Sequence, residues 1–186
     1  MSSVNTYIQQ LKFDGSTYTK GSVINLLDKF KIICQDFPFK ILPEPKDLPE
    51  RDWPDEHGVD VYVPDAIPMK PYTTDVTFLY VGDDETIRTD ISDFINFLYG
   101  IIKGSSEDTV QSGRLAIYND YTGIGRKDVI VSKVDNELFF DNSSDPDAVA
   151  KFKVTFKVCD PVTEVTPVIN GQNVVTDLNF LTEGNG

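Results

Sequence analysis

The sequence predicts an α+β domain: an antiparallel β-sheet or split β-barrel that carries one main amphipathic helix, with a long proline-rich loop. Three patterns indicate this fold class. Apolar and polar residues alternate over residues 150–159, apolar residues recur at intervals of three and four over residues 85–103, and eight prolines lie within residues 37–71. The first pattern has the period of a half-buried strand, and the second has the period of a helix that buries one face.

Residues 150–159 form the clearest predicted element, which we place at the centre of the sheet. The apolar side of this strand consists of Phe152, Val154, Phe156 and Val158, and its polar side of Lys151, Lys153, Thr155 and Lys157. One side is therefore expected to pack and the other to meet water. Asp160-Pro161 ends the strand, because proline has no N–H to donate to a neighbouring strand.

The N-terminal third is less regular. Residues 1–12 alternate weakly and predict an N-terminal strand or arm, which ends at the turn Asp14-Gly15-Ser16. Residues 22–30 have helical spacing behind Ser22 as a possible N-cap, although residues 30–34 are equally consistent with a strand. The prolines of residues 37–71 exclude long regular elements and leave room for a short strand at residues 59–63.

The middle of the chain has stronger signals. Residues 74–81 are β-branched and aromatic and predict a strand, which runs through an acidic turn into the helix at residues 85–103, ended by Gly104. Residues 115–118 and 129–134 predict two further strands. The link between those strands is rich in turn-forming residues.

Beyond Pro161, Asn170-Gly171 lies between two β-branched runs, which is a strong hairpin signal. We therefore divide the chain into a domain at residues 1–165, with the loop excursion 37–71, and a C-terminal hairpin or extension at residues 166–186. The hairpin is expected to project from the domain and to be able to add its strands to a neighbour's sheet.

Composition excludes several classes of function. Seventeen basic and thirty acidic residues give a net charge of -13 and a pI near 4.3, which argues against affinity for nucleic acid or an anionic membrane. No apolar run is long enough to span a membrane, and no signal peptide is evident, so we expect a soluble protein that is not exported by a classical signal.

Cys34 and Cys159 are expected to be buried free thiols in a reducing compartment.

A search for chemical motifs predicts no catalytic, cofactor-binding or metal-ligating residue. Asp141-x-Ser143-x-Asp145-x-Asp147 imitates the start of a calcium loop, but proline and phenylalanine stand where that loop needs glycine and glutamate, so an Asx-rich turn is favoured. Gly123-x-Gly125 lacks a third glycine and precedes a strand, so it is a turn. Neither cysteine is expected to act with His57 as a nucleophile, since both lie in apolar, strand-like surroundings.

Two alternatives remain open in the proline-rich excursion. His57 lies among seven acidic residues between positions 44 and 60, where a carboxylate metal site competes with a solvated acidic loop, which is favoured. Trp53, Tyr62 and Tyr72 could form a platform for a sugar or peptide. Aromatic residues beside prolines more often attach a loop to the core or to a partner, and we favour that interpretation.

Several segments of the sequence resemble those of one known family. They are Trp53-Pro-Asp-Glu-His-Gly58 before a short strand, Tyr72-Thr-Thr-Asp-Val-Thr-Phe-Leu-Tyr80, the helix 87–103, Leu115-Ala-Ile-Tyr-Asn-Asp-Tyr121, Arg126-Lys-Asp-Val129, and Val149 to Asp160-Pro161. With the order of elements from Tyr7 to Val165, they resemble the N-terminal ring-forming domain of phage distal tail proteins, which is related to tail-tube proteins. The resemblance implies a small β-barrel-like sheet with one helix.

The resemblance also implies a function: a structural component of a tailed-phage virion, made in the bacterial host cytoplasm and assembled as a homo-oligomeric ring, a hexamer in that family, with tail-tube and hub proteins as partners. Many distal tail proteins carry a C-terminal carbohydrate-binding domain, and this chain ends about where that domain would begin, so receptor binding is not expected. The alternatives are a divalent-cation or glycan-binding module and a head–tail connector or tail completion protein. The surfaces expected to reach a neighbour are residues 1–12, the excursion 43–71 and the C-terminal hairpin.

Overall fold

The computed structural model describes residues 5–55, 57–83, 85–101, 110–135, 139–141 and 148–181. The strands are β1 (Thr6–Phe13), β2 (Tyr18–Asn25), β3 (Ile32–Cys34), β4 (Glu50–Asp52), β5 (Val59–Val61), β6 (Tyr72–Gly82), β7 (Arg114–Asn119), β8 (Ile124–Val134), β9 (Phe139–Asp141), β10 (Ala148–Val158), β11 (Glu164–Ile169) and β12 (Val175–Leu181). The helices are α1 (Leu26–Phe30) and α2 (Ile87–Tyr99).

Ten of these strands form one antiparallel sheet, whose main path is β2-β1-β7-β8-β10-β6-β3. β9 pairs with β10, and β11 pairs with both β8 and β12. The predicted antiparallel sheet with one main helix is thus confirmed. The barrel form of that prediction is wrong: in the described part of the chain β2 and β3 pair only on their inner sides, and β3, with three residues, offers too short an edge for closure.

Strand β10 lies at the centre of the sheet, as predicted. It pairs with β6 over its whole length, and with β8 and β9 on its other side. Phe152, Val154, Phe156 and Val158 are all buried, whereas the alternating Lys151, Lys153 and Lys157 are exposed. The two-residue period of the sequence therefore gives the correct register, because burial of one side forces the other toward solvent.

Helix α2 covers the apolar side of β10. Ile91, Phe94 and Leu98 are buried there, and Ile95 is partly buried. The helix is four residues shorter than the predicted 85–103 at its C-terminal end, because Gly100 adopts a left-handed conformation with φ 69° and caps it. A Cβ on residue 100 would lie 2.6 Å from the Ser112 carbonyl carbon, so the returning chain also requires glycine here.

The N-terminal segment is an interior strand, and the expectation of an arm is wrong. β1 lies between β2 and β7, and Ile8 and Leu11 are fully buried. Pairing with β1 also makes residues 18–25 a strand, so the helix predicted for residues 22–30 is confined to α1. The Asn25 side chain, not Ser22, caps α1 by accepting a 3.1 Å hydrogen bond from the Leu27 N–H.

The C-terminal hairpin, β11 and β12, is present as predicted but does not simply project. Val165 and Leu178 are buried with Leu11 and Ala116 on the side of the sheet opposite α2, and form a second, smaller core. The distal end of the hairpin, with Ile169 and Val174, is exposed. The boundary predicted between residues 165 and 166 falls inside β11.

We expect Phe156→Ala to lower the free energy of unfolding by about 3–5 kcal/mol, because it removes a fully buried ring from the main core. Lys153→Ala, on the exposed side of the same strand, should change it by less than about 0.5 kcal/mol. Urea denaturation of both variants measures the difference. Equal shifts in the denaturation midpoint would contradict the register of β10.

A second prediction concerns the attachment of the hairpin. A Cβ on residue 125 would lie 2.4 Å from the Val165 carbonyl oxygen, so Gly125→Ala must displace β11 from β8 and should cost about 1–3 kcal/mol. Gly171→Ala, where a Cβ would meet nothing within 4 Å, is the matched control and should be nearly silent. Equal denaturation midpoints for the two variants would show that β11 does not pack this closely.

Candidate functional site

The proline-rich excursion forms a β-ribbon over residues 44–70, which we call the ribbon. Near its root Pro45 is bridged to Met69, and the Lys46 N–H donates to the Pro68 carbonyl at 2.8 Å. Farther out, β4 pairs with β5. This confirms the short strand predicted within residues 59–63 and shows that β4 is its partner strand. In the described residues β4 and β5 pair only with each other, so the ribbon is an appendage of the main sheet.

The root of the ribbon is fixed to the core by hydrogen bonds and aromatic packing. Buried Arg126, 4% exposed, donates from Nη2 to the Lys40 carbonyl at 2.8 Å. The Lys40 N–H donates to the Tyr72 hydroxyl oxygen at 3.0 Å. Phe39 is buried, and its ring lies 6.4 Å from that of Phe156. The predicted attachment of the loop by an aromatic residue thus applies to Tyr72.

The ribbon exposes apolar side chains to an unusual degree. Of the eighteen large hydrophobic residues that are exposed in the described structure, six lie in the ribbon: Trp53, Val59, Val61, Tyr62, Val63 and Ile67. Ile41 and Leu42, just before the ribbon, are exposed as well. Within the ribbon, Tyr62 is 68% exposed and Val63 is 62% exposed. Single exposed apolar residues are common, but a concentration of them in one appendage is typical of a surface that binds another macromolecule.

The ribbon is also acidic, with eight acidic and three basic residues between positions 44 and 70. Two ion pairs lie near the root, Lys70–Asp47 and Lys40–Glu44, both at 2.8 Å. Hydrogen bonds from these lysines lower the pKa of the Asp47 and Glu44 carboxyl groups. The carboxylates at positions 50, 52, 55, 60 and 65 have no ion pair in the described part of the chain.

The acidic groups of the ribbon that the structure describes do not converge on a metal site. Across the described residues, no three His, Cys, Asp or Glu side chains converge as ligands for an ion. His57 lies in the turn at the tip of the ribbon, and there the Arg51 guanidinium lies 4.0 Å above the Trp53 ring. That cation covers one side of the indole, which leaves less of it available to a sugar.

The Cys34 thiol shows no nucleophilic character. Cys34 is buried as predicted, its thiol donates to the Asp36 carbonyl at 2.7 Å, and burial together with the Asp36 charge raises its pKa to about 12. The thiol is therefore protonated at neutral pH. Cys159 is exposed, so its predicted burial is wrong. Because it follows inward-facing Val158 on an alternating strand, it faces outward.

The remaining glycine and calcium motifs are resolved in part. Gly123 has φ 67° in the turn between β7 and β8, as expected of a turn glycine. Gly125 lies instead in β8, where it admits the close approach of β11. The expected Asx-rich turn lies largely outside the described residues, which include its Asp141 but not positions 142–147.

One polar cluster that the sequence did not indicate, here called the clasp, holds the C-terminal hairpin to the sheet. The Tyr18 hydroxyl donates to Asp128 Oδ2 at 2.6 Å, and Arg114 Nη1 donates to Asp128 Oδ1 at 2.9 Å. The Phe180 ring of β12 lies edge-on to Tyr18, with the ring centroids 5.8 Å apart. Burial raises the pKa of Tyr18 to about 12, and the adjacent Asp128 carboxylate adds to the effect.

Two lysines complete the clasp. Lys20 Nζ lies 4.5 Å from the centre of the Phe180 ring and 3.0 Å from Asp177 Oδ2. Lys127 Nζ lies 5.6 Å from the same ring and 3.2 Å from Asp160 Oδ2. Each cation of the clasp thus has an aspartate partner, so the cluster is electrically balanced. We interpret it as a structural contact between distant segments and not as a binding site.

A cleft of about 530 Å³ opens between β2 and the distal end of the C-terminal hairpin. Its charged lining residues are Asp28 and Lys29, and the rest of the lining includes Asn25, Asn173 and Val174. This lining does not supply a nucleophile with an adjacent base, or a pair of carboxylates, for catalysis. The ribbon is accordingly the stronger candidate for a functional surface.

The fold and the ribbon together define an antiparallel α+β domain with a projecting, apolar and acidic appendage. No protein-family model matches the chain, and no curated protein matches it. Within the residues that the structure describes, no helix is both long enough and apolar enough to cross a membrane.

The clasp predicts a pH dependence at high pH. The pKa of Tyr18 is about 12 in the folded state and about 10 when unfolded, so folding favours the protonated phenol. The resulting stabilisation is complete below pH about 10 and is lost as the pH rises toward about 12. We expect Tyr18→Phe to reduce the decrease in unfolding free energy between these pH values. Tyr121→Phe, at an 81% exposed position, should not, and equal pH profiles for the two would contradict the clasp.

Proposed function

We propose that this protein is a structural component of a tailed-phage virion: a ring-forming distal tail protein of the baseplate hub, or a closely related tail tube or adaptor protein. Its subunits assemble with one another into a ring, through which DNA passes, and with neighbouring tail proteins. The observation that carries the proposal is the ribbon, because a concentration of exposed apolar side chains in one appendage is typical of a surface that binds a partner. The resemblance of the sequence to distal tail proteins supplies the kind of assembly.

The architecture supports a ring subunit in a second way. A closed ring needs two different, complementary surfaces on each subunit, one donating and one accepting. Hydrogen bonds from Arg126 and to Tyr72 hold the chain at the base of the ribbon against the core. The ribbon can therefore present the same contact surface in every subunit. The open sheet provides accepting surface away from the root.

Charge also favours this function over one that requires tight DNA binding. A net charge of -13 makes the protein repel phosphate on average. A ring through which DNA must slide functions better with a repulsive lumen than with an adhesive one. The same charge keeps free subunits soluble before they assemble.

The alternative of a divalent-cation or glycan-binding module has less support. The ribbon carboxylates do not converge in the described residues, and Arg51 covers part of the Trp53 ring. A head–tail connector or tail completion protein would use the same kind of ring, and the identity of its partners would distinguish it. Binding of calcium or simple glycans is therefore an outcome to be tested beside assembly.

Removal of the ribbon tests the proposal. Residues 47–67 can be replaced by Gly-Gly, since the Lys46 N–H and Pro68 carbonyl are already only 2.8 Å apart. We expect the intact protein to increase in mass with concentration in light scattering and to show rings by negative-stain microscopy. The shortened protein should remain a folded monomer, with circular dichroism that retains the β signal of the main sheet.

Tyr62→Ala in the ribbon and Tyr121→Ala outside it form a matched pair of exposed tyrosines, 68% and 81% exposed. Only the first should weaken assembly, by about tenfold or more in concentration if Tyr62 is a central contact. A protein that stays monomeric at every concentration and with tail proteins, and that binds calcium or a glycan stoichiometrically by calorimetry, would overturn the proposal.

A further inference from the structure

One side of the central sheet carries a group of exposed lysines, which we call the lysine face. It lies on β8 and β10, on the side opposite α2, and consists of Lys133, Lys151, Lys153 and Lys157. All four side chains are exposed, and none has an ion pair in the part of the chain that is described. Lys133 is the cross-strand partner of Thr155, which lies between Lys153 and Lys157, so the four residues are contiguous.

Three aspartates border the lysine face without an ion pair to its lysines in the described part of the chain: Asp36, Asp75 and Asp135. Asp36 accepts hydrogen bonds from the N–H and the hydroxyl group of Thr77, the cross-strand partner of Lys153. Asp75 is the cross-strand partner of Thr155 and accepts a 2.6 Å hydrogen bond from its hydroxyl group. The Asp135 N–H donates to the Lys153 carbonyl at 2.9 Å, and its carboxylate forms no ion pair with any described lysine. A cationic surface therefore remains on a protein whose net charge is -13.

One side of the ribbon has the complementary character. Glu50 is the cross-strand partner of Val61, and Asp52 is the partner of Val59. Directly opposed residues of an antiparallel pair point to the same side, so this side presents two carboxylates and two valines. All four side chains are exposed.

The two surfaces also agree in spacing. Residues two apart on one side of a strand are separated by about 7 Å. Lys151 and Lys153 on β10 and Glu50 and Asp52 on β4 therefore repeat at the same interval. Beside Lys151 lies its cross-strand partner Leu79, which is partly exposed and can receive the valines.

From this complementarity we infer that the ribbon of one subunit docks on the lysine face of a second copy of the chain. Glu50 and Asp52 pair with Lys151 and Lys153, and Val59 and Val61 pack beside Leu79. The contact joins two different surfaces, so it runs head to tail and can close a ring. This inference rests on the proposed function and names the surfaces through which its subunits would assemble.

Charge reversal on both surfaces tests the docking. We would compare the intact protein with Lys151→Glu/Lys153→Glu, with Glu50→Lys/Asp52→Lys and with all four substitutions combined. Lys12→Glu/Lys29→Glu changes two exposed lysines elsewhere and is the matched control. Light scattering across concentration gives the half-assembly concentration, and circular dichroism checks folding.

Each reversed pair should raise the half-assembly concentration at least about tenfold, because like charges would face each other. The combined variant, which restores opposite charges, should return to within about threefold of the intact protein, and the control should not differ from it. Added salt should weaken assembly of the intact protein by screening these exposed pairs.

Three other results would overturn the docking. If the intact protein assembles and both reversed pairs assemble equally well, the docking is wrong and the ring proposal stands. If the intact protein stays monomeric throughout, the ring proposal fails and the docking fails with it. If the lysine variants assemble normally but lose affinity for a short DNA duplex that the intact protein binds, the lysine face binds phosphate and not the ribbon.

Discussion

The contact among Phe152, Phe78 and Phe94 determines most of this structure. Phe152 of β10 is the cross-strand partner of Phe78 of β6, and their rings stack with centroids 5.6 Å apart. The Phe94 ring of α2 meets Phe78 edge-on at 5.2 Å. These contacts fix the register of the two longest-paired strands and the position of the helix above them. Because successive side chains alternate, the same register places the lysines of β10 on the opposite side.

The sheet has two sides with separate cores, and the irregular region at β8 explains why. Asp128 has φ 53°, and its carbonyl accepts the Cys159 N–H just where β10 ends. After Asp160-Pro161 the chain resumes beside β8 as β11, where Gly125 allows close approach. The hairpin can thus cover only the β1, β2 and β7 end of the second side. The lysine face lies farther along that side, on β8 and β10, where its lysine side chains are exposed.

The sequence could predict the elements whose burial is decided by their own periodicity. β10, β6 and α2 have strong two-residue or helical patterns, and Asn170-Gly171 marks the C-terminal turn. Residues 22–25 show the limit of such reasoning, since pairing with β1 outweighs their helical spacing. The clasp was not predictable either, because Tyr18, Asp128 and Phe180 are distant in the sequence and each is individually ordinary. The alternation of β10 places Cys159 on the outward side, after buried Val158. The general preference of cysteine for burial gives the opposite prediction, which is wrong here.

The sequence predicts the ribbon as an exposed excursion but does not predict its partner strand. Glu50-Arg51-Asp52 has no apolar alternation, so only pairing with Val59–Val61 makes it a strand. A two-stranded ribbon of this kind is marginal by itself in water. Here the ladder at Pro45 and Met69 and the root contacts of Arg126 hold it in place, while its valines and tyrosine remain in solvent. Carboxylates are interleaved with those apolar residues. They restrict the surfaces on which the ribbon can be buried, since any such surface must supply cations as well as apolar area.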